Sequence, residues 1–178
     1  MNFQTRLTAK ILNLGGVISM PTDTIQGLTC LPAYEQSMQK LLQLKHRNSA
    51  KGLILLASNI NFLLPYVQEP SLLTRIKPQQ QPTTYLLKAN SNISPLITGE
   101  FDTVAVRITN NPLITTLCQQ CNSALLSTSA NITGKQTANT ALKLTVYFKQ
   151  QLDFILTPQN DNNQASQIID GQTGKQLR

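Results

Sequence analysis

The chain has 178 residues, 40% of them hydrophobic, and a formal net charge of +7. That length buries a core without disulfide or metal support, and the charge attracts polyanions, whether RNA or the phosphates of a nucleotide. No stretch approaches the length of a membrane span, residues 1–10 lack an apolar leader core, and the three cysteines are an odd number, so a membrane protein and a secreted disulfide framework are both excluded from the expectation.

Apolar periodicity predicts, in chain order, a helix over 5–13, a strand over 16–20, a helix over 34–44 with Met38, Leu41 and Leu42 on one face, and a strand over 53–57. Helices over 60–66 and 71–76 lead to strands over 84–87 and 103–108, then a helix over 112–121 opened by Pro112 and a strand over 124–127. A helix over 140–148 and short strands over 154–156, 167–169 and 176–178 close the order. The expected class is α/β (α+β), one domain over 1–178, because no internal repeat or linker divides the chain. The Gln-rich and Asn-rich runs read as polar loops.

The first strand runs out into Pro21-Thr22-Asp23-Thr24-Ile25-Gln26-Gly27-Leu28. Hydroxyls and a carboxylate at a strand end, beside a glycine that admits close backbone approach, suit a binding loop; a capped helix start is the structural alternative. Ser127-Thr128-Ser129-Ala130-Asn131 repeats the pattern at another strand end, with a local Ser/Thr or Asx turn as its alternative. Lys45-His46-Arg47 concentrates cations at a helix C-terminus, for phosphate or simply for the negative end of the helix, and His46 reads as a solvated loop residue. Arg107 at the end of a strand reads as an anion clamp or as a partner of Asp102 or Asp23. Cys118 and Cys121 fall on the apolar face of their helix, so packing is expected there and no structural metal. Phosphate loops of the Walker type, dinucleotide fingerprints, zinc-protease helices and a Ser-His-Asp triad have no counterpart, and the lack of Trp gives base stacking little to work with.

With the Pro21 to Leu28 segment, Lys45-His46-Arg47, Val104-Ala105-Val106-Arg107 and Ser127 to Asn131 in that order, followed by Ala165-Ser166-Gln167-Ile168-Ile169-Asp170 and Gly174-Lys175-Gln176-Leu177-Arg178, the chain resembles the YrdC/TsaC family in its short bacterial form. The resemblance implies a twisted mixed sheet flanked by helices around a positively charged cavity. It also implies a cytoplasmic threonylcarbamoyl-AMP synthase. ATP with magnesium, L-threonine and bicarbonate would give threonylcarbamoyl-AMP and pyrophosphate, and downstream proteins would carry the threonylcarbamoyl group to the tRNA adenosine next to the anticodon. By position in the family motifs, Lys45 and Arg47 would hold the phosphates as catalytic residues, with Thr103, Ser129, Asn131, Thr137 and Arg178 completing the ATP site. Thr22, Arg107, Ser127 and Ser166 would face threonine, with Thr24 supporting them. Competing readings are an RNA-binding, ribosome-assembly protein without catalysis and a carbamoyl-AMP-forming domain of the carbamoyltransferase type. The chain departs from the family pattern at Gln26, usually aromatic, at Asn48, usually proline, and at Gln79-Gln80-Gln81, where Trp and Gly are common. These departures bear on the shape of the cavity.

Overall fold

The computed structural model describes residues 3–46, 51–158 and 164–178. Helix α1 (Phe3–Asn13) stops at Gly15, whose φ of 80° lets the chain turn into strand β1 (Ile18–Met20). Residues 21–26 then form a loop that folds back into a second strand, β2 (Gly27–Cys30), antiparallel to β1 with Met20 opposite Gly27. The sequence reading had no strand here, and the helix-cap alternative fails with it. All four β2 residues are buried, so the segment lacks the alternation that marks a half-buried strand.

The order continues as α2 (Glu35–Leu44), β3 (Ile54–Ala57), α3 (Pro70–Leu73), β4 (Thr83–Lys88), α4 (Pro95–Thr98), β5 (Thr103–Ile108), α5 (Pro112–Cys121), β6 (Leu125–Ser129), α6 (Ala141–Phe148), β7 (Phe154–Ile155) and β8 (Gln167–Asp170). The helix predicted over 60–66 is two 3-10 turns, Ile60–Phe62 and Leu64–Tyr66, because Pro65 supplies no N–H to continue a helical ladder. The helix predicted over 71–76 shrinks to α3, and the strand predicted over 176–178 to one antiparallel bridge, Ile169 to Gln176. Helix α4, missed as too short for periodicity, starts on Ser94, whose hydroxyl accepts from the Leu96 N–H. Helix α5 is set at both ends by asparagine: Asn111 accepts from the Leu113 and Ile114 N–H groups, and Asn122 closes it in the left-handed region.

The eight strands form one mixed sheet in the order β7-β1-β2-β6-β3-β5-β4-β8. On one face Leu28, Leu55, Val104, Val106 and Leu126 pack against Met38 and Leu41 of α2 and against Leu144 and Phe148 of α6. On the other, Ile18, Met20, Leu56 and Leu125 pack against Ala9 and Leu12 of α1 and Ile114, Leu117 and Cys118 of α5. Helices α1 and α5 reach only part of this second face. Register decides what stands beyond them: Ile54 pairs with Ala105 and Ser127, Leu56 with Arg107, Leu86 with Ala105, and Gly27 with Ser129. With a side-chain period of two, those residues share this second face, Leu56 at the border of the part that α1 and α5 cover.

Cys118 and Cys121 lie in the α1–α5 packing, their thiols directed at the Leu56 and Ala9 carbonyls at 3.8 and 3.9 Å. Burial pushes both thiols up to about 11 and that of Cys30 up to about 12. Asp153, just before β7, ties it to the start of β1 and to α2, its Oδ2 accepting from the Val17 N–H and from Lys40 Nζ, each at 2.7 Å.

Candidate active site

The loop between β1 and β2 is closed by its own hydroxyls. Thr22 Oγ1 donates to the Ile25 carbonyl at 2.7 Å and accepts from the Thr24 N–H at 3.1 Å. The carbonyl can only accept, so the 3.0 Å contact between Thr22 and Thr24 has Thr24 Oγ1 as donor. The Thr22 hydroxyl, expected to face threonine, therefore has its proton committed to the loop. The same geometry presents Asp23 and Thr24 to the end of β5.

There Arg107 is held on all sides. Nε donates to Thr84 Oγ1 at 3.1 Å, Nη1 to Asp23 Oδ1 at 2.9 Å and to Thr24 Oγ1 at 3.2 Å, and Nη2 to Ser166 Oγ at 3.1 Å. Of the two acidic partners open from the sequence, Asp23 is the one used. The ion pair is buried, with side-chain exposures of 5% for Arg107 and 15% for Asp23. Burial pushes the guanidinium below its ordinary range; the charge and hydrogen bond of Asp23 work against this, and the nearby Arg178 cation adds to it. Arg178 in turn donates through Nε and Nη2 to the Ser166 carbonyl at 3.3 and 3.0 Å.

Strand β6 runs two residues past its predicted end, so Ser127 and Ser129 lie within it and face the same side. Thr29 Oγ1 donates to Ser127 Oγ at 3.3 Å. Gly27, opposite Ser129, keeps this space open, since a Cβ there would stand 2.8 Å from Ser127 Oγ and 3.2 Å from Thr22 Cγ2 and would displace the serine hydroxyl. Behind the end of β6, Lys45 is buried at 2% exposure. Its Nζ donates to the Asn131 carbonyl at 2.9 Å, to Asn131 Oδ1 at 3.0 Å and to the Ser129 carbonyl. Ser129 Oγ donates to Asn131 Oδ1 at 2.6 Å, and Asn131 Nδ2 donates to the carbonyls of Ile132 and Lys135 at 3.0 and 2.9 Å. Lys45 thus joins α2 to the turn after β6.

These elements bound a cavity of about 360 Å³. Its walls include Thr22, Thr24, Thr84, Thr103, Arg107, Ser127, Ser129, Ser166 and Arg178, over an apolar floor of Ile54, Leu56, Leu86, Ala105 and Ile168. Seven of the expected site residues, Thr22, Thr103, Arg107, Ser127, Ser129, Ser166 and Arg178, are therefore brought together. Lys45, Asn131 and Thr137 are not wall residues, and Arg47 lies outside the described residues. Lys51, Thr98 and Phe101 line the cavity without having been singled out as site residues. Lys51 carried a usable signal, a cation just before a buried strand; Thr98 and Phe101 depend on the unforeseen α4. Among the described lining residues the charged side chains are Lys51, Arg107 and Arg178, and none is a carboxylate side chain. A pocket of this size with an apolar floor and convergent donors suits an anionic small molecule.

Residues 10–178 match the Sua5/YciO/YrdC family, described as "Telomere recombination". The chain is 40% identical over 182 residues to the threonylcarbamoyl-AMP synthase of Nitrosococcus oceani, spanning 99% of this chain and 98% of that one. It is 36% identical over 179 residues to the protein of the same name from Acinetobacter baumannii, spanning 96% and 95%. Sua5 of P. abyssi, solved as a complex with L-threonine, shares the fold at a TM-score of 0.81 and 24% identity, over 94% of this chain and 51% of that one. YciO of E. coli shares it at a TM-score of 0.78 and 23% identity, over 95% and 85%. Because the match takes in every strand that walls the cavity, the chain belongs to the Sua5/YciO/YrdC family.

Proposed function

We propose that this chain is a threonylcarbamoyl-AMP synthase, a nucleotidyltransferase acting as one cytoplasmic domain in tRNA modification. The observation that carries the reading is the nearly end-to-end match, at 40% and 36% identity, to chains of that name. The cavity suits it chemically. Threonine, bicarbonate and ATP are all anionic or carry an anionic group, and the walls offer cations and hydroxyls with no opposing carboxylate side chain among the described lining residues.

In this reading Arg107, Ser166 and Ser127 receive threonine, with Thr22 and Thr24 shaping the loop beside it. Thr103, Ser129 and Arg178 receive the nucleotide at the cavity wall, with Asn131 and Thr137 supporting from outside it, and Lys45, Arg47 and Lys51 neutralise its phosphates. Lys45 acts from behind the turn that it anchors. The threonine nitrogen takes up the bicarbonate carbon with loss of water, and an oxygen of the resulting carbamate displaces pyrophosphate from the α-phosphorus of ATP. Such a reaction gains most from alignment and charge neutralisation, which fixed cations and hydroxyls on strand ends supply. No grouping of three or more His, Cys, Asp or Glu occurs among the described residues. In this reading magnesium enters with ATP, as the counter-ion of its phosphates and part of the substrate.

Purified protein with magnesium, ATP and bicarbonate is expected to release pyrophosphate only when L-threonine is present, with threonylcarbamoyl-AMP identified by mass spectrometry. Release that is indifferent to threonine, or none from folded protein that binds ATP, overturns the proposal.

A further inference from the structure

The hydrogens around Arg107 can be counted. A guanidinium has five N–H donors, and four are taken by Thr84, Asp23, Thr24 and Ser166, leaving one on Nη2, the nitrogen bonded to Ser166. Thr84 Oγ1 and Ser166 Oγ each accept from Arg107 and also lie 2.9 Å from each other. Two hydroxyls so placed own two protons but share only one contact. One proton lies between them, and the other is left over. Either hydroxyl can supply the shared proton; Thr84 has no exposed surface whereas Ser166 keeps 3%, so we assign the shared proton to Thr84, which leaves that of Ser166 for the cavity. An adjacent N–H and O–H pointing to one spot is the arrangement that takes a carboxylate through both oxygens.

We infer that Thr84 is a positioning residue for the substrate's α-carboxylate: its hydroxyl receives Arg107 Nε and donates to Ser166, so that Ser166 and the remaining Nη2 N–H are both turned toward that carboxylate. Thr84 thereby sets two contacts without making either. The inference rests on the reading of this cavity as a threonine site.

Thr84→Val keeps shape and β-branching while removing the hydroxyl, and Thr84→Ser restores the hydroxyl alone; Thr84→Ala serves in the same way should valine disturb the fold. Calorimetry on the full chain, with L-threonine, L-threoninamide and ATP titrated separately, reads the effect without turnover. The expected result is a threonine Kd weakened about tenfold or more in Thr84→Val, recovered to within about threefold in Thr84→Ser, with ATP changed less than about twofold. The preference for threonine over threoninamide is expected to narrow in Thr84→Val, and Ser166→Ala to weaken threonine less in the Thr84→Val background than in the wild type. A threonine Kd within about twofold of wild type in both Thr84→Val and Thr84→Ala, or equal weakening of ATP, overturns the inference. If the wild type binds threonine but forms no threonylcarbamoyl-AMP, the synthase reading falls while these affinities still decide the role of Thr84. A wild type that binds no threonine overturns both.

Discussion

Arg107 and Arg178 converge on a single residue: Arg107 donates to the Ser166 hydroxyl at 3.1 Å and Arg178 to the Ser166 carbonyl at 3.0 Å. Two cations are thereby kept close together at the cavity wall, with Asp23 compensating Arg107, so the second guanidinium adds a repulsion that a bound anion would relieve. Arg178→Ala is expected to lower kcat/KM at least tenfold, about 1.4 kcal/mol, while leaving thermal stability near that of the wild type. Steady-state kinetics with a parallel melting curve would check this, and a kcat/KM equal to wild type would refute it.

Lys45 gives the opposite balance. Its ammonium serves the Asn131 carbonyl, Asn131 Oδ1 and the Ser129 carbonyl from a buried position, so Lys45→Ala removes the ammonium from the Asn131 carbonyl and leaves Asn131 Oδ1 and the Ser129 carbonyl with only the Ser129 hydroxyl and the Asn131 N–H. Loss of turnover is expected together with a stability loss of about 1–3 kcal/mol. Chemical denaturation of the variant measures it; unchanged stability would mean that the turn after β6 does not depend on this side chain.

Gly27→Ala is a test of space. The added methyl would stand 2.8 Å from Ser127 Oγ, on the cavity side of β2. A folded protein with strongly weakened threonine binding is expected, read by the same titration used for the wild type. Wild-type affinity would show that the β2 to β6 approach is not part of the substrate site.

The acid limb of stability is expected to depend on Asp153. Burial pushes this carboxyl up, but hydrogen bonds from Lys40 and the Val17 N–H, together with the Lys40 charge, bring it below its ordinary 3.8. A folded-state value below the unfolded one means that the stabilisation is present above pH 3.8 and is lost as pH falls through the depressed value. With side-chain exposures of 38% and 40%, the Lys40–Asp153 pair is screened, and its share is about 1 kcal/mol or less. Urea unfolding of wild type and Asp153→Asn at pH 7 and pH 3 should therefore show a gap at neutral pH that narrows in acid.

Much of this fold is written in local pattern. Helices α2 and α5 follow from their apolar faces and, for α5, from Asn111 and Pro112; β3 and β5 follow from apolar runs bounded by polar loops. What escaped notice was short or uniformly buried: β2 has no alternation, α4 is a single turn, and Pro65 divides what periodicity joined. For the site, the cationic and hydroxyl residue types were legible, but hydrogen-bond direction was not. That Thr22 spends its proton on Ile25, that Arg107 is matched to Asp23, and that Lys45 stands behind the wall are consequences of tertiary register, which residue spacing does not encode.

Strand β8 is the last strand on its side of the sheet, with β4 on one edge and on the other only the 175–178 segment bridged at Ile169 to Gln176, and all four of its residues are half-buried where those of β2 are wholly buried. Ser166 precedes it, and Arg178 is tied back to it through Ile168. Amide hydrogen exchange should consequently find this border loosening at a smaller free energy than the central strands. Such an opening would break the Arg107 contact to Ser166 and the ties that hold Arg178 to Ser166 and Ile168. A bound substrate bridging both guanidiniums would then act as a clasp, and its protection of the β8 amides would report occupancy.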